Sequence, residues 1–123
     1  MKEMHKVKWL KEPEKHDYAA AYSYLSLIYK PGMSKKLVKE LQDADLESFK
    51  AKDIFRASAL PLLGISNYHV EQYYAKLTHS EKISPILLVR DTAHGRVVIA
   101  DGYHRLCAVY AIDEDANIPC KIV

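Results

Sequence analysis

The stretch "SPILLVRDTAHGRVVIADGYHRLCAVY", Ser84–Tyr110, decides the fold. "SPILLVRD" is strongly apolar and has the length of a buried strand. "TAHG" is a hairpin-type turn and "RVVIA" the returning strand. A helix then opens at Tyr103-His104-Arg105 and runs to Ile112. A helix start already has spare N–H donors and a partial positive charge. Two cationic or proton-carrying side chains in that place suit an anion. Gly102 permits a tight turn and close backbone approach. Arg105 can grip a phosphate or carboxylate through two parallel hydrogen bonds. His104 can donate to a phosphate oxygen or move a proton near neutral pH. A di- or triphosphate site needs this combination. The same spacing equally allows a purely structural turn. Arg105 would then pair with Asp101, with an acid of the Asp113–Asp115 loop or with a carbonyl, and His104 would be a surface histidine. The junction is not a P-loop, because the glycine-rich run and its Lys-Ser/Thr are absent.

Downstream, "DEDAN" reads as a loop and "IPCKIV" as a final strand with Ile118, Cys120 and Ile122 on one face. Upstream, Asn67 predicts a helix cap and Tyr68–His79 the helix, with Val70, Tyr73, Tyr74 and Leu77 as its apolar stripe. "ESFKAKDIFRASALPLLGIS" has no clean period and reads as a short strand turning into a loop near Ala57–Gly64. "EPEKHDYAAAYSYLSLIYKPG" predicts a helix capped by Asp17 and ended by Pro31-Gly32, with Tyr18, Ala21, Tyr22, Leu25, Ile28 and Tyr29 along one stripe. Ser34 is the expected cap of a second short helix, completing a helical hairpin. The first 11 residues form a charged lead-in with Trp9 and Leu10 as an anchor. The expected class is α+β, a small mixed β-sheet packed with helices.

The bulk properties narrow the function. The chain has 123 residues, 49% hydrophobic and 28% charged, which suits one domain with a single core. A net charge of +2 does not indicate a strong polyanion binder, so a nucleic-acid partner is not expected. Cys107 and Cys120 are too far apart for a CxxC pair, and no His/Cys cluster accompanies them. A disulfide framework or zinc site is therefore not expected. No signal-peptide core and no membrane-length apolar run is present, so a soluble, cytoplasmic protein with reduced thiols is expected.

From Phe49 to Val123 the order of strand, turn, strand, DGYHR junction, helix and final strand resembles the ParB/sulfiredoxin-like superfamily, and an uncharacterised bacterial ParB-like group within it. The resemblance implies a core over 47–123 and an N-terminal helical extension over 1–46, forming one compact domain. Its branches imply different activities. Sulfiredoxins carry a Gly-Cys-His-Arg motif whose His and Arg contact ATP phosphates. Gly102, His104 and Arg105 match it, but Tyr103 replaces the catalytic Cys, and a phenol with a pKa of about 10 cannot do thiolate chemistry. Arg56 stands where that family has the Arg of its Arg-Pro-Leu stretch. His69, Gln72 and Lys76 fall at the helix positions facing its nucleotide; by spacing alone they share one polar face. Partition ParB proteins bind CTP through a Gly-Glu-Arg-Arg-x-Arg-Ala box. Gly102, Arg105 and Ala108 fit that box, whereas Tyr103, His104 and Cys107 depart from it. The helix-turn-helix that reads the centromere also has no counterpart after the final strand. The nearest local match is to ParB-fold free-serine kinases, whose Asp-Gly-His-His-Arg motif differs from Asp101–Arg105 at one position.

The leading expectation is a site for a nucleotide or other phosphorylated ligand at Asp101–Arg105. Gly102, Tyr103, His104, Arg105, Arg56, His69 and Lys76 hold the phosphates. Asp101 and His104 are the catalytic candidates if phosphate moves to a small molecule. Mg²⁺ with ATP or ADP is the implied cofactor. Asp101 is a candidate Mg²⁺ ligand, and no dedicated metal site is assigned. The kinase branch also needs a catalytic Glu, for which Glu12, Glu14, Glu47 and Glu71 are open candidates. The alternative class is a non-catalytic interaction or regulatory module that takes a protein partner, or a second copy of itself, through the Tyr-rich N-terminal helix. A DNA-associated nuclease is a third, weaker class. "EPEKHDY" brings Glu12, Glu14, His16 and Asp17 close together, either as a solvated helix start or as a cover or metal group beside the site.

Overall fold

The structure, a computed structural model, describes residues 7–123. The first six residues of the charged lead-in fall outside it. The chain runs β1 (Lys8–Trp9), α1 (Lys15–Ile28), α2 (Pro31–Asp43), β2 (Glu47–Lys50), α3 (Ala51–Ser58), α4 (Tyr68–Thr78), β3 (Lys82–Ile83), β4 (Ile86–Asp91), β5 (Arg96–Asp101), α5 (Tyr103–Ile112) and β6 (Asn117–Ile122). The fold is α+β, with a small mixed sheet packed against helices. Strand order in the main sheet is β2-β6-β4-β5, with β4 parallel to β6 and the other two pairs antiparallel.

Burial on both faces explains the unbroken apolar run of β4. Successive side chains of a strand point to opposite faces. Ile86 and Leu88 therefore join α3, α4 and α5 in one core, with Ile99, Ile118, Cys120 and Ile122. Leu87 and Val89 join Val98 and Ala100 under α1 and α2, where Ala21, Leu25 and Leu41 close a second core. Each fully buried Leu contributes about 1.5–3 kcal/mol. The N-terminal helices thus complete the sheet's second face.

Several local expectations need correction. The N-cap of α1 is Glu14, and Asp17 lies one turn inside the helix. The Glu14 N–H donates to Asp17 Oδ2 at 2.7 Å, so the Asp17 carboxylate caps from within. Of the expected stripe, Ala21 and Leu25 are buried, Tyr18, Tyr22 and Tyr29 are half-buried, and Ile28 is exposed. α1 ends at Ile28, before Pro31-Gly32, and Pro31 is instead the first residue of α2, where its missing N–H costs nothing. Ser34 is buried inside α2 and does not cap it. After β2 the chain forms α3 instead of a loop; Ala51, Ile54 and Ser58 are its buried residues, and Ala59 ends it in the left-handed region at φ +57°. A helix of eight residues has too few turns to show a clean period. β1 and β3, each two residues long, pair in parallel. Asn67 does cap α4, its side chain accepting from the N–H groups of His69 and Val70 at 3.0 and 3.2 Å.

Candidate functional site

The end of β5 is shaped by its ladder. Leu87 pairs with Asp101 and Leu88 with Ile99, so Ala100 is an extra residue that bends the strand and re-aims Asp101. Gly102 follows with φ +111°. A Cβ there would lie 2.3 Å from Ile86 Cγ2 and 2.7 Å from Ile86 Cβ, so both conformation and space demand glycine. Gly102 is also the N-cap of α5 and has no side chain to satisfy the first-turn N–H groups.

Arg105 turns inward and is 6% exposed. Its Nε donates to the Ser84 carbonyl at 3.0 Å, and its Nη2 donates to the Pro85 carbonyl at 3.3 Å and to Asp101 Oδ2 at 2.9 Å. Nη1 lies 3.7 Å from Asp17 Oδ1, from α1. The structural partners that the spacing allowed, Asp101 and a carbonyl, are both present. Asp17, which the sequence offered as part of a cover or metal group beside the site, is an additional partner of Arg105. Burial pushes the Asp101 carboxyl up to about 6; Arg105 pulls it down and the Asp17 carboxylate adds to the rise. Burial disfavours charge on Arg105, but Asp101 and Asp17 outweigh it and hold the guanidinium charged.

His104 points the other way, to α4. Its ring lies 5.0 Å from that of His69, and Tyr103 and Tyr68 extend the row at 5.4 Å on either side. Burial, with the neighbouring His69, holds the His104 pKa below its usual value. The Tyr103 hydroxyl donates to the Pro61 carbonyl and ties the 59–67 loop to α5. His69, Gln72, Tyr73 and Lys76 line a cavity of about 410 Å³ along α4. Lys76 Nζ lies 5.3 Å from the Tyr73 ring centroid. Tyr73 and Lys76 also border a second cavity of about 290 Å³, walled by Glu14, Asp17, Ser84 and Arg105.

The candidates therefore divide. His69 and Lys76 line the cavity on α4, and His104, with Tyr103 beside it, adjoins that face through the His69 ring. Asp101 and Arg105 form an internal pair beneath the first turn. Arg56 lies on α3, 84% exposed, with Asp53 at 3.9 Å as its ion-pair partner, and borders neither cavity. Of the four candidate glutamates, Glu14 lies at the second cavity and accepts from Ser84 Oγ at 2.9 Å. Glu12 pairs with Lys121 at 3.2 Å. Ligating atoms of Glu14, His16 and Asp17 lie within 4.8 Å of one another. The nearby Arg105 guanidinium opposes a cation there. Ser84 and Tyr73 belong to the site by folding alone, from segments far apart in the chain. Both thiols are free and buried, with Cys120 pushed up to about 12 by burial. No helix among the described residues is long and apolar enough to cross a membrane.

Compared with known proteins, the chain matches no family model, and no curated protein and no solved structure is significantly similar to it.

Proposed function

We propose that the chain binds a nucleotide or another phosphorylated ligand, with the phosphates at the first turn of α5 and the remainder along α4. One observation carries this reading: the α5 turn has no side-chain cap and presents His104 against His69, on the α4 face that also carries Gln72 and Lys76 around a cavity. First-turn N–H groups and the helix dipole favour a phosphate. His104 and His69 can donate ring N–H bonds to its oxygens, and Lys76 adds a charge. Arg105 acts in this reading as a strut. It holds Asp101, the Ser84–Pro85 carbonyls and α1 in one arrangement, and so positions the turn that meets the ligand. The ParB/sulfiredoxin-like resemblance, which would put Arg105 and Arg56 on the phosphates, differs from this reading in both, and contributes only Mg²⁺ with ATP or ADP as the first ligands to try. Phosphotransfer to a small molecule is the extended form, with Asp101, whose carboxyl is pushed up by burial, as the candidate proton acceptor from beneath the turn.

Calorimetry with ATP, ADP and CTP, each with Mg²⁺, tests the reading on wild type, His104→Ala and Lys76→Ala. Binding that weakens about tenfold in each variant is expected. Wild-type protein that binds none of the three overturns it.

A second reading has its own observation. Tyr24, Leu27 and Ile28 lie on one face of α1, with Leu27 84% exposed, and Met33 follows in α2, also exposed. Apolar side chains grouped this way suit an interaction module. Light scattering of wild type and Leu27→Glu tests it. A higher-order species that dissociates in the variant supports self-association, and identical monomers exclude it.

A further inference from the structure

We propose that the cavity between α3 and the far end of the sheet is a second binding site, for a small hydrophobic monocarboxylate. The apolar group enters the cavity and the carboxylate pairs with Arg90. The cavity has a volume of about 230 Å³ and is lined by Phe49, Ile54, Ala57, Leu88, Val97 and Ile122. It shares no lining residue with the two cavities of the α4–α5 site.

The fold explains why the space is open. α3 packs on β5 but has only eight residues, and the left-handed Ala59 turns the chain away. The sheet face beyond Leu88 is therefore only partly covered. An apolar cavity of about 150 Å³ accepts benzene. At 230 Å³ this one has room for a ring or branched alkyl group with a short linker.

The charge at the rim selects the ligand class. Arg90 follows Leu88 by two on β4, so it stands on the same face, and it is exposed. Its backbone pairs with Val97, and its N–H donates to the main-chain oxygen of Val123 at 2.7 Å. Among the described residues no carboxylate lies within ion-pair distance of its guanidinium. A planar guanidinium beside an apolar slot matches a carboxylate, which it can hold by two parallel hydrogen bonds. Asp53 is the other charged lining residue and faces Arg56 at 3.9 Å. It disfavours a dianion such as a phosphate, which argues for a ligand with a single negative charge.

Titration of the full chain with phenylacetate, phenylacetamide and phenethylamine tests this, read by the methyl resonances of Ile54, Leu88, Val97 and Ile122. Phenylacetate is expected to give saturable shifts at these methyls. Arg90→Gln is expected to weaken it about ten- to a hundredfold, to the level of the amide. Asp53→Asn is expected to leave it equal or tighter. Ala57→Phe, which fills the cavity, is expected to abolish the shifts. Arg90 is exposed, so its variant keeps the test meaningful even if Ala57→Phe fails to fold. Absence of saturable shifts with phenylacetate overturns the proposal. So does equal affinity for the amide, tighter binding of the amine, or wild-type affinity in Arg90→Gln.

Discussion

Arg105 Nη1 lies 3.7 Å from Asp17 Oδ1, which joins the arginine of the DGYHR turn to the first helix of the chain. The same guanidinium holds Asp101 and two carbonyls, so four acceptors from three segments depend on one buried cation. Removing one partner of a buried ion pair costs about 3–5 kcal/mol, because the other charge is left uncompensated. Arg105→Ala is therefore expected to destabilise the fold by that amount in urea denaturation. Hydrogen exchange in α1 should accelerate in the same variant. Arg105→Lys should recover little, since an ammonium cannot reproduce the fork of contacts. A wild-type midpoint for Arg105→Ala would contradict the strut role.

Asp101 predicts a pH dependence with a definite sign. Its folded pKa, about 6, lies above the ordinary value of 3.8. The folded state then binds more protons than the unfolded state between these values, so this group's contribution to stability falls as pH rises from about 4 to about 6. The magnitude is of order 1–3 kcal/mol. Urea midpoints of wild type and Asp101→Asn across this range check it. The difference between them should change with pH in that direction, and a constant difference would refute the assignment.

Gly102→Ala tests the turn itself. The residue would adopt a positive φ and press its Cβ into Ile86. Strain and overpacking together are expected to cost about 2–4 kcal/mol. Thermal unfolding reads this directly. Gly32→Ala is the control, because a Cβ there meets nothing within 4 Å.

The His69–His104 contact predicts a titration. With its pKa held down by burial and by His69, His104 is mainly neutral at pH 7. Ring resonances followed by NMR should show His104 titrating below the ordinary histidine value, and His69→Ala should move it upward. If phosphate binds there, it will favour the imidazolium. Nucleotide affinity should then rise as pH falls from about 7 to about 5.5. His104→Gln should remove that dependence.

Much of the α+β architecture was legible in local pattern. The apolar run of β4, the turn before Gly95, the Asn67 cap and the alternation in β6 each report the environment of their own segment. α3 and the β1–β3 pair were not legible, because elements of two to eight residues carry too little periodic signal. The cap of α1 was misplaced because Asp17 acts from inside the helix, a geometry that composition does not distinguish from an N-cap.

At the site, sequence by itself determined a glycine turn that opens a helix with His104 and Arg105 in its first turn. Backbone conformation and helix polarity are local properties, and local residues encode them. Only the tertiary structure decided where the two side chains go. Arg105 turns inward to Asp101, Ser84, Pro85 and Asp17, while His104 turns outward to His69. The reason is physical: the spacing within the motif allows the Asp101 contact, but Asp17 and the Ser84 and Pro85 carbonyls lie on distant segments that only folding brings within reach, and these fix the direction of the buried charge.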